Sequence, residues 1–333
     1  MHTLGRERPS ARRCGDSCVP DYVSWIIFVV AVGGLLSLDL FVFHREAKPV
    51  RMREAAIWVG VWVSLGLAFG GWIFLTRGAT SGAEYLAGYL IEYSLSMDNV
   101  FVFAVLFAYF GVPPQYQHRL LFWGVMGAIV FRAIFIVAGT ALLSTFHFVI
   151  YLFGALLLFT AWRMVTVGTD NVDPGANPVL RLMRRAIPVT DDFEGQKFFT
   201  RRDGKLWATP LFAALVVVET SDIMFAIDSV PAILAITQDT FIVFTSNAFA
   251  IMGLRSLYFL LAGLIDRFEY LKYGLAALLA FAGLKMILSD VIHLDVWLSL
   301  GIIVAILATS VAISLLATRH RDVPERTPPP MND

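Results

Sequence analysis

Apolar residues fill most of this chain in long stretches, without the exchange of apolar and charged positions that marks a surface helix of a soluble domain. A helix needs about 17 to 25 apolar residues to cross the hydrocarbon core of a bilayer. Stretches of that length cover residues 22–43, 57–76, 83–110, 119–142, 146–166, 209–236, 241–264, 271–288 and 297–317. The pattern predicts an all-α polytopic membrane protein with about nine transmembrane helices.

The composition agrees with this prediction. Hydrophobic residues make up 58% of the 333 positions and charged residues only 16%, whereas a soluble domain carries about 25% charged residues. Lys and Arg together number 26, as do Asp and Glu, so no basic excess is available for binding nucleic acid. The first apolar stretch follows a polar tail and lacks a small-residue cleavage pattern, so we interpret it as a membrane span and not as a signal peptide.

Polar connections divide the chain into units. The predicted divisions are an extracytoplasmic polar tail (1–21), two N-terminal spans (22–82), a first unit of three spans (83–166), a loop (167–208), a second unit of three spans (209–288), a last span (289–317) and a disordered tail (318–333). The loop is the only large polar insert. Its Pro and Gly residues favour an irregular linker with a short amphipathic segment at 179–187.

The distribution of Lys and Arg among the connections predicts the orientation. One set of connections, which includes the C-terminal tail, carries 17 of these residues, and the set with the N-terminal tail carries five. We therefore expect the C-terminus in the cytoplasm and the N-terminus outside. Cys14 and Cys18 in the outer tail could form a small disulfide loop or a weak soft-metal site, although two ordinary thiols are the simpler interpretation.

The two three-span units share a pattern of ionisable residues. Asp98 and Asp222, Arg132 and Arg255, and Arg163 and Lys285 are separated by 124, 123 and 122 positions respectively. Three pairs at nearly one offset indicate an internal repeat. Because each unit has an odd number of spans, the two units must cross the membrane in opposite directions. The prediction is a three-plus-three inverted repeat, an architecture that is common among secondary transporters.

The first helix of each unit carries polar residues inside an otherwise apolar run. They are Glu92, Asp98 and Asn99 in the first unit and Glu219, Asp222 and Asp228 in the second. A carboxylate inside a membrane is energetically unfavourable, and its presence indicates a functional site. We expect the two acidic helices to lie against each other and to bind a cation near the bilayer midplane.

Helical spacing predicts which of these side chains share a face. Ser96 follows Glu92 by one turn and Asn99 by two, and Glu219 and Asp222 are three residues apart, so each set lies on one face. Asp228 would point to the opposite side of an unbroken helix. Pro231 cannot donate a backbone hydrogen bond, and a kink or unwound segment before it would direct Asp228 back to the site.

The donors at this predicted site are oxygen atoms, with no His or Cys among them. Such donors suit Mn²⁺, Mg²⁺ or Ca²⁺ better than Cu⁺ or Zn²⁺. Met97 and Met224 would favour Mn²⁺ over Mg²⁺ if they faced the ion, whereas packing against lipid or the protein core is their ordinary role. The supporting residues that we expect around the site are Asp39, Ser96, Ser221, Asn247, Arg132 and Arg255.

The acidic residues could instead be structural, each paired with a buried cation. Arg132 and Arg255 lie deep in predicted spans, whereas Arg163 and Lys285 lie near helix ends and can reach the interface. With Asp39 in the first span the buried acids number six, so about four carboxylates have no basic partner. This excess favours a bound cation or exchangeable protons.

These segments resemble the TerC family of integral membrane proteins, and within it the Alx-like branch. The resemblance rests on the segments 39–45, 92–100, 219–231 and 245–259, and extends from about residue 23 to 317. It implies a bacterial inner-membrane protein associated with manganese efflux and metal homeostasis, and in some members with tellurite resistance. The family motif carries over to Glu92, Asp98, Asn99, Glu219, Asp222, Asp228, Asn247 and Arg255.

Two functions remain open at this point. The first is a transporter whose cargo is Mn²⁺ or another divalent cation, with no permanently bound cofactor and with proton exchange at the same acids. The second is an accessory protein that supports the metalation of exported enzymes, or tellurite resistance, with the secretion machinery or further copies of the chain as partners. An enzymatic function is not expected, because no Ser–His or His-Glu-x-x-His pattern lies in a span.

Overall fold

The computed structural model describes residues 21–42, 52–166, 178–190, 192–202, 205–261, 271–292 and 294–318. The elements are α1 (Asp21–Val42), α2 (Met52–Arg77), α3 (Ala79–Tyr109), α4 (Pro114–Thr145), α5 (Val149–Thr166), α6 (Pro178–Ala186), β1 (Phe199–Arg202), β2 (Lys205–Ala208), α7 (Pro210–Leu234), α8 (Thr240–Met252), α9 (Leu254–Leu261), α10 (Leu271–Ile287) and α11 (Val296–Thr318). The predictions for the two tails, including Cys14 and Cys18, lie outside the described residues.

Seven helical stretches in the described part of the chain are long and apolar enough to cross a membrane. They are α2, α3, α4, α5, α7, α8 taken together with α9, and α11. The helix α10 has 17 residues, and the apolar part of α1 covers Tyr22–Leu35. The polytopic all-α membrane fold is therefore confirmed, while the count of nine spans stays a prediction.

The helix α3 lies at the centre of the bundle. It packs against α2, α7, α8, α9, α10 and α11. In the most apolar window of α3, 69% of the residues are buried, against 17% in α11. Since most of α3 is covered by protein, its polar residues lie where other helices can satisfy them, and α11 presents its apolar side chains to lipid.

The helices α5 and α10 approach each other closely at two glycines. A Cβ atom on Gly154 would lie 2.9 Å from the carbonyl oxygen of Gly283, and one on Gly283 would lie 2.8 Å from the carbonyl oxygen of Gly154. Ile287 closes the same contact, since its Cγ1 would be 2.6 Å from a Gly154 Cβ. Small residues allow this close backbone contact, which is a main source of helix association in lipid.

The long loop between α5 and α7 contains more regular structure than its sequence predicts. The amphipathic segment predicted at 179–187 is confirmed as α6, whose Leu180 is buried. The remainder of the loop was expected to be irregular, but β1 and β2 form an antiparallel hairpin. The dipeptide Asp203-Gly204 between the strands is a hairpin signal in the sequence.

An ion pair on the surface connects the hairpin to the segment before it. Arg202 Nη2 lies 3.0 Å from Glu194 Oε1. Hydrogen bonds from Thr200 and Arg202 hold the pKa of Glu194 below its ordinary value. Because this pair is partly exposed to solvent, it contributes little to stability.

The glycine contact between α5 and α10 generates the first prediction. Gly154→Ala should lower the free energy of unfolding by about 1–3 kcal/mol, because the added methyl group meets the backbone of Gly283 and forces the helices apart. Thermal unfolding of the purified protein in detergent measures this loss. Gly71→Ala in α2 is the control, since a Cβ there meets nothing within 4 Å. Equal unfolding temperatures of the two variants would contradict the contact.

Candidate functional site

A buried ion pair joins α3 to α4 at the centre of the bundle. Glu92 of α3 is 0% exposed and Arg132 of α4 is 2% exposed. Arg132 Nη1 donates a hydrogen bond to Glu92 Oε1. It also donates to Ser229 Oγ of α7 and to Asn247 Oδ1 of α8, both at 2.9 Å. One guanidinium therefore contacts three other helices.

The remaining hydrogen bonds of Glu92 complete this group. Asn247 Nδ2 donates to Glu92 Oε2 at 3.2 Å, and Ser96 Oγ donates to Glu92 Oε1 at 3.4 Å. We call Glu92, Ser96, Arg132, Ser229 and Asn247 the Glu92 network. Both carboxylate oxygens of Glu92 have donors, so this carboxylate is satisfied inside the membrane-spanning part of the protein. Arg132 Nε, by contrast, has no hydrogen-bond partner among the described residues.

Asp222 of α7 lies beside the Glu92 network but is not satisfied by it. The residue is 2% exposed. Neither Oδ1 nor Oδ2 has a hydrogen-bond partner among the described residues. Its charge interacts with those of Arg132 and Glu92 without a direct contact. A buried carboxylate without donors is costly, and a bound proton or cation removes that cost.

Glu219, one turn before Asp222 on α7, is the second unsatisfied acid. Its buried Oε2 also has no hydrogen-bond partner in the described part of the chain. The carboxylate lies against Gly127 of α4, where a Cβ atom would overlap both of its oxygens. Glu219 and Asp222 also repel each other electrostatically. Two ionised carboxylates so close together in a buried site are unfavourable, so the pair favours a bound cation or bound protons.

Asp228 lies away from this pair, and the prediction of an unwound segment before Pro231 is wrong. The helix α7 continues from Pro210 to Leu234, so Asp228 points away from the side that carries Asp222. Asp228 Oδ1 accepts a hydrogen bond from Thr160 Oγ1 of α5 at 2.9 Å. Because Pro231 is accommodated within the helix, no unwound segment redirects the side chain.

The other predicted residues have different surroundings. Asn99 is buried, and Ser221 donates to the backbone oxygen of Val217 at 2.9 Å. Arg255 of α9 is 6% exposed and is not without an interaction partner. Met224 is 58% exposed, so it packs outward in place of facing the acids. The side chains of Asp39 and Asp98 lie outside the described part of the structure.

The geometry limits how many side chains could bind one metal ion. Within the described residues, no group of three or more His, Cys, Asp or Glu side chains converges on one point. The acids that do come together are Glu219 and Asp222. Sequence reasoning missed Ser229, although it follows Asp222 by seven residues and therefore lies on the same face of α7.

The residues of this site lie within a segment that matches a known protein family. The family model described as "Integral membrane protein TerC family" matches residues 77–322. The chain belongs to the TerC family of integral membrane proteins. The match includes every residue of the Glu92 network together with Glu219, Asp222 and Asp228. No solved structure matches the chain.

Several relatives are similar over nearly their whole length. The chain is 48% identical over 296 residues to "Uncharacterized membrane protein STKORF319" of Myxococcus xanthus, which covers 89% of this chain and 93% of that protein. It is 46% identical over 307 residues to "Putative membrane-bound redox modulator Alx" of Salmonella typhi, with 90% and 95% covered. The protein of the same name from Escherichia coli K12 is 45% identical over 307 residues, with 90% and 96% covered.

The Glu92 network generates the second prediction. Glu92→Gln and Arg132→Gln should each lower the free energy of unfolding by about 3–5 kcal/mol, because each leaves one buried charge without its partner. The double variant should lose less than the sum of the two. Chemical or thermal unfolding in detergent measures the cycle.

The surface pair of Arg202 and Glu194 is the control for this cycle. The same substitutions there should change stability by about 1 kcal/mol or less, because solvent screens both charges. Strictly additive losses for Glu92 and Arg132 would show that the two side chains do not depend on each other.

Proposed function

We propose that this protein is a divalent-cation transporter of the bacterial inner membrane, and that its cargo is Mn²⁺ on the way out of the cell. The proposal rests above all on Glu219 and Asp222, two neighbouring carboxylates in the bundle whose buried oxygens lack hydrogen-bond donors in the described part of the chain. Acids within a membrane helix mark ion and proton pathways.

The Glu92 network reduces the number of acids that could bind the transported cation. Arg132 neutralises Glu92, so this acid holds the helices in position and does not attract a second cation strongly. Glu219 and Asp222 have no such partner among the described residues, and we assign the cargo to them. Oxygen donors of this kind suit Mn²⁺ and other hard or borderline divalent cations.

A pair of acids is also suited to a transported ion. A resident metal needs a closed set of ligands, whereas cargo must bind well enough to enter and weakly enough to leave. Two carboxylates, with water completing the coordination, bind a cation reversibly. When the cation leaves, protons can take its place on the same oxygens, which gives a route for proton coupling.

The packing of the helices supports the inverted repeat. The helix α4 packs on α7 and α3 packs on α8, while α5 packs on α10 and α3 on α7. If α3, α4 and α5 are equivalent to α7, α8 with α9, and α10, a two-fold axis exchanges the first two contacts and maps each of the other two onto itself. The acid pair then lies where the units meet, and rocking of one unit against the other would expose it to each side in turn.

The orientation belongs to the same proposal. The loop between α5 and α7 carries more basic residues than any other connection, among them Arg181, Arg184 and Arg185 of α6 and Arg201 and Arg202 of β1. Cytoplasmic connections are rich in Lys and Arg. We therefore assign this loop and the C-terminus to the cytoplasm and the N-terminus to the outside.

A redox role, which the name of the Alx relatives suggests, finds less support. The two cysteines of the chain, Cys14 and Cys18, precede the family match that begins at residue 77. Thiol chemistry therefore has no residue within the matched region. An accessory role in the metalation of exported enzymes differs from transport in one respect, which is that purified protein alone would not move Mn²⁺.

The third prediction tests transport directly. Purified protein in liposomes should move Mn²⁺ across the membrane, and Asp222→Asn should reduce the rate at least about tenfold, because the amide keeps the shape of the side chain but removes the charge. A fluorescent indicator inside the liposomes measures the flux. Glu194→Gln in the surface loop should transport as the wild type does.

The result that contradicts transport is equally direct. If the wild type moves no Mn²⁺ with or without a pH gradient, an accessory role replaces the proposal. If the wild type and Asp222→Asn move Mn²⁺ at equal rates, the ion does not use this site.

The fourth prediction concerns the space around Glu219. Gly127→Ala should reduce Mn²⁺ transport about as much as Glu219→Gln does, because the added methyl group occupies the volume of the Glu219 carboxylate and displaces it. Gly71→Ala is the matched control, since a Cβ there meets nothing within 4 Å. Normal flux in Gly127→Ala, with the protein present at wild-type level in the liposomes, would exclude a role for the position of Glu219.

A further inference from the structure

A polar cavity lies at the N-terminal end of α3, away from the acid pair. It has a volume of about 260 Å³, and its polar lining comprises Glu84, Thr237, Gln238, Lys285 and Ser289. These residues come from the beginning of α3, the segment after α7, and the end of α10 and the turn that follows it. We call it the Glu84 cavity.

Two oppositely charged side chains line this cavity but do not form a direct ion pair across it. Glu84 Oε2 accepts a hydrogen bond from Thr237 Oγ1 at 2.8 Å. Lys285 interacts electrostatically with Glu84, but the two do not form a direct ion pair. Ser289 Oγ is buried and has no hydrogen-bond partner among the described residues. A carboxylate, an ammonium group and an unsatisfied hydroxyl therefore share one space.

The ends of two helices make the cavity favourable for cations. The helix α7 ends at Leu234, and Leu234, Ala235 and Ile236 all line the cavity. The helix α10 ends at Ile287, and Lys285 lies in its last turn. The C-terminus of a helix carries a partial negative charge, which adds to the charge of Glu84. The volume corresponds to several water molecules of about 30 Å³ each, enough for a partly hydrated ion.

A closed contact separates this cavity from the Glu92 network. Glu84 precedes Glu92 by eight residues, which is about 12 Å along a helix. Between them, a Cβ atom on Gly88 would lie 2.9 Å from Ser246 Oγ and 3.2 Å from Ile233 Cγ2. The helices α3, α7 and α8 therefore meet tightly between the two polar regions.

We propose that the Glu84 cavity is a second cation site on the transport path, in which Glu84 holds a partly hydrated divalent cation that displaces the ammonium group of Lys285. This inference rests on the proposed transport function and adds a residue pair to it. With no metal bound, Lys285 partly neutralises Glu84 from across the cavity. An arriving divalent cation brings the larger charge, and the flexible side chain of Lys285 withdraws.

Lys285 also gives the site a means of release. A tethered cation competes with the bound ion for the same carboxylate, so the ion leaves more readily. Rapid passage along a path requires several sites of moderate affinity in place of one tight site. The arrangement predicts that the two charged residues have opposite effects on affinity.

The test uses two variants in the full-length protein reconstituted into liposomes. Glu84→Gln should raise the Mn²⁺ concentration needed for half-maximal flux about tenfold, and Lys285→Met should lower it about tenfold while also lowering the maximal rate. Opposite shifts of the half-maximal concentration are a signature that general damage to the fold does not produce. Lys272→Met, at the other end of α10, is the control and should leave both quantities unchanged.

A binding measurement makes the result independent of flux. Equilibrium dialysis with Mn²⁺ alone in detergent should give one fewer bound ion per chain for Glu84→Gln than for wild type. Asp222→Asn should also lose one, and the double variant both. Variants that lose flux without this loss of binding would contradict a site at Glu84.

The outcomes separate this inference from the transport proposal. If the wild type transports Mn²⁺ and Asp222→Asn does not, transport stands. Half-maximal concentrations of Glu84→Gln and Lys285→Met equal to the wild-type value then overturn the Glu84 site alone. If the wild type itself neither binds nor moves Mn²⁺, both proposals fall together.

Discussion

The ion pair between Glu92 and Arg132 constrains the rest of the structure. A carboxylate buried in the centre of a membrane bundle persists only if other groups satisfy it, and here both of its oxygens have donors from neighbouring helices. Because Arg132 also donates to α7 and α8, it links α3 and α4 to these two later helices. Beside this pair, Glu219 and Asp222 have buried oxygens without hydrogen-bond partners in the described part of the chain.

Glycine determines how close the helices can come to these charges. Gly127 leaves the volume that the Glu219 carboxylate occupies, and Gly88 lets α3 meet α7 and α8 between the two polar regions. In lipid the helices gain little from burying apolar surface, so close packing at small residues carries much of the association. The glycines that hold the bundle together therefore also define the spaces through which an ion would pass.

The polar groups along α3 suggest how the proposed transport is organised. One end of the helix borders the Glu84 cavity, where a carboxylate and an ammonium group face each other, and the middle carries the neutralised Glu92. Asp222 and Glu219 lie beside that middle region. Along the proposed path, no site would bind a cation permanently. Each site is either partly neutralised by a basic residue or limited to two carboxylates. This is the condition that a transported ion requires.

Apolar run length alone determined the membrane fold, because a bilayer permits few structures other than helices. The polar residues in these runs also predicted a site, and the structure brings Glu92, Arg132, Glu219, Asp222 and Asn247 to one region. Only the tertiary structure decided which other side chains each of these residues contacts. Glu92 is paired and Asp222 is not, Asp228 turns to Thr160 of α5, and Glu84 and Lys285 share a cavity. Helical periodicity gives the direction of a side chain, but the partner depends on which helices meet.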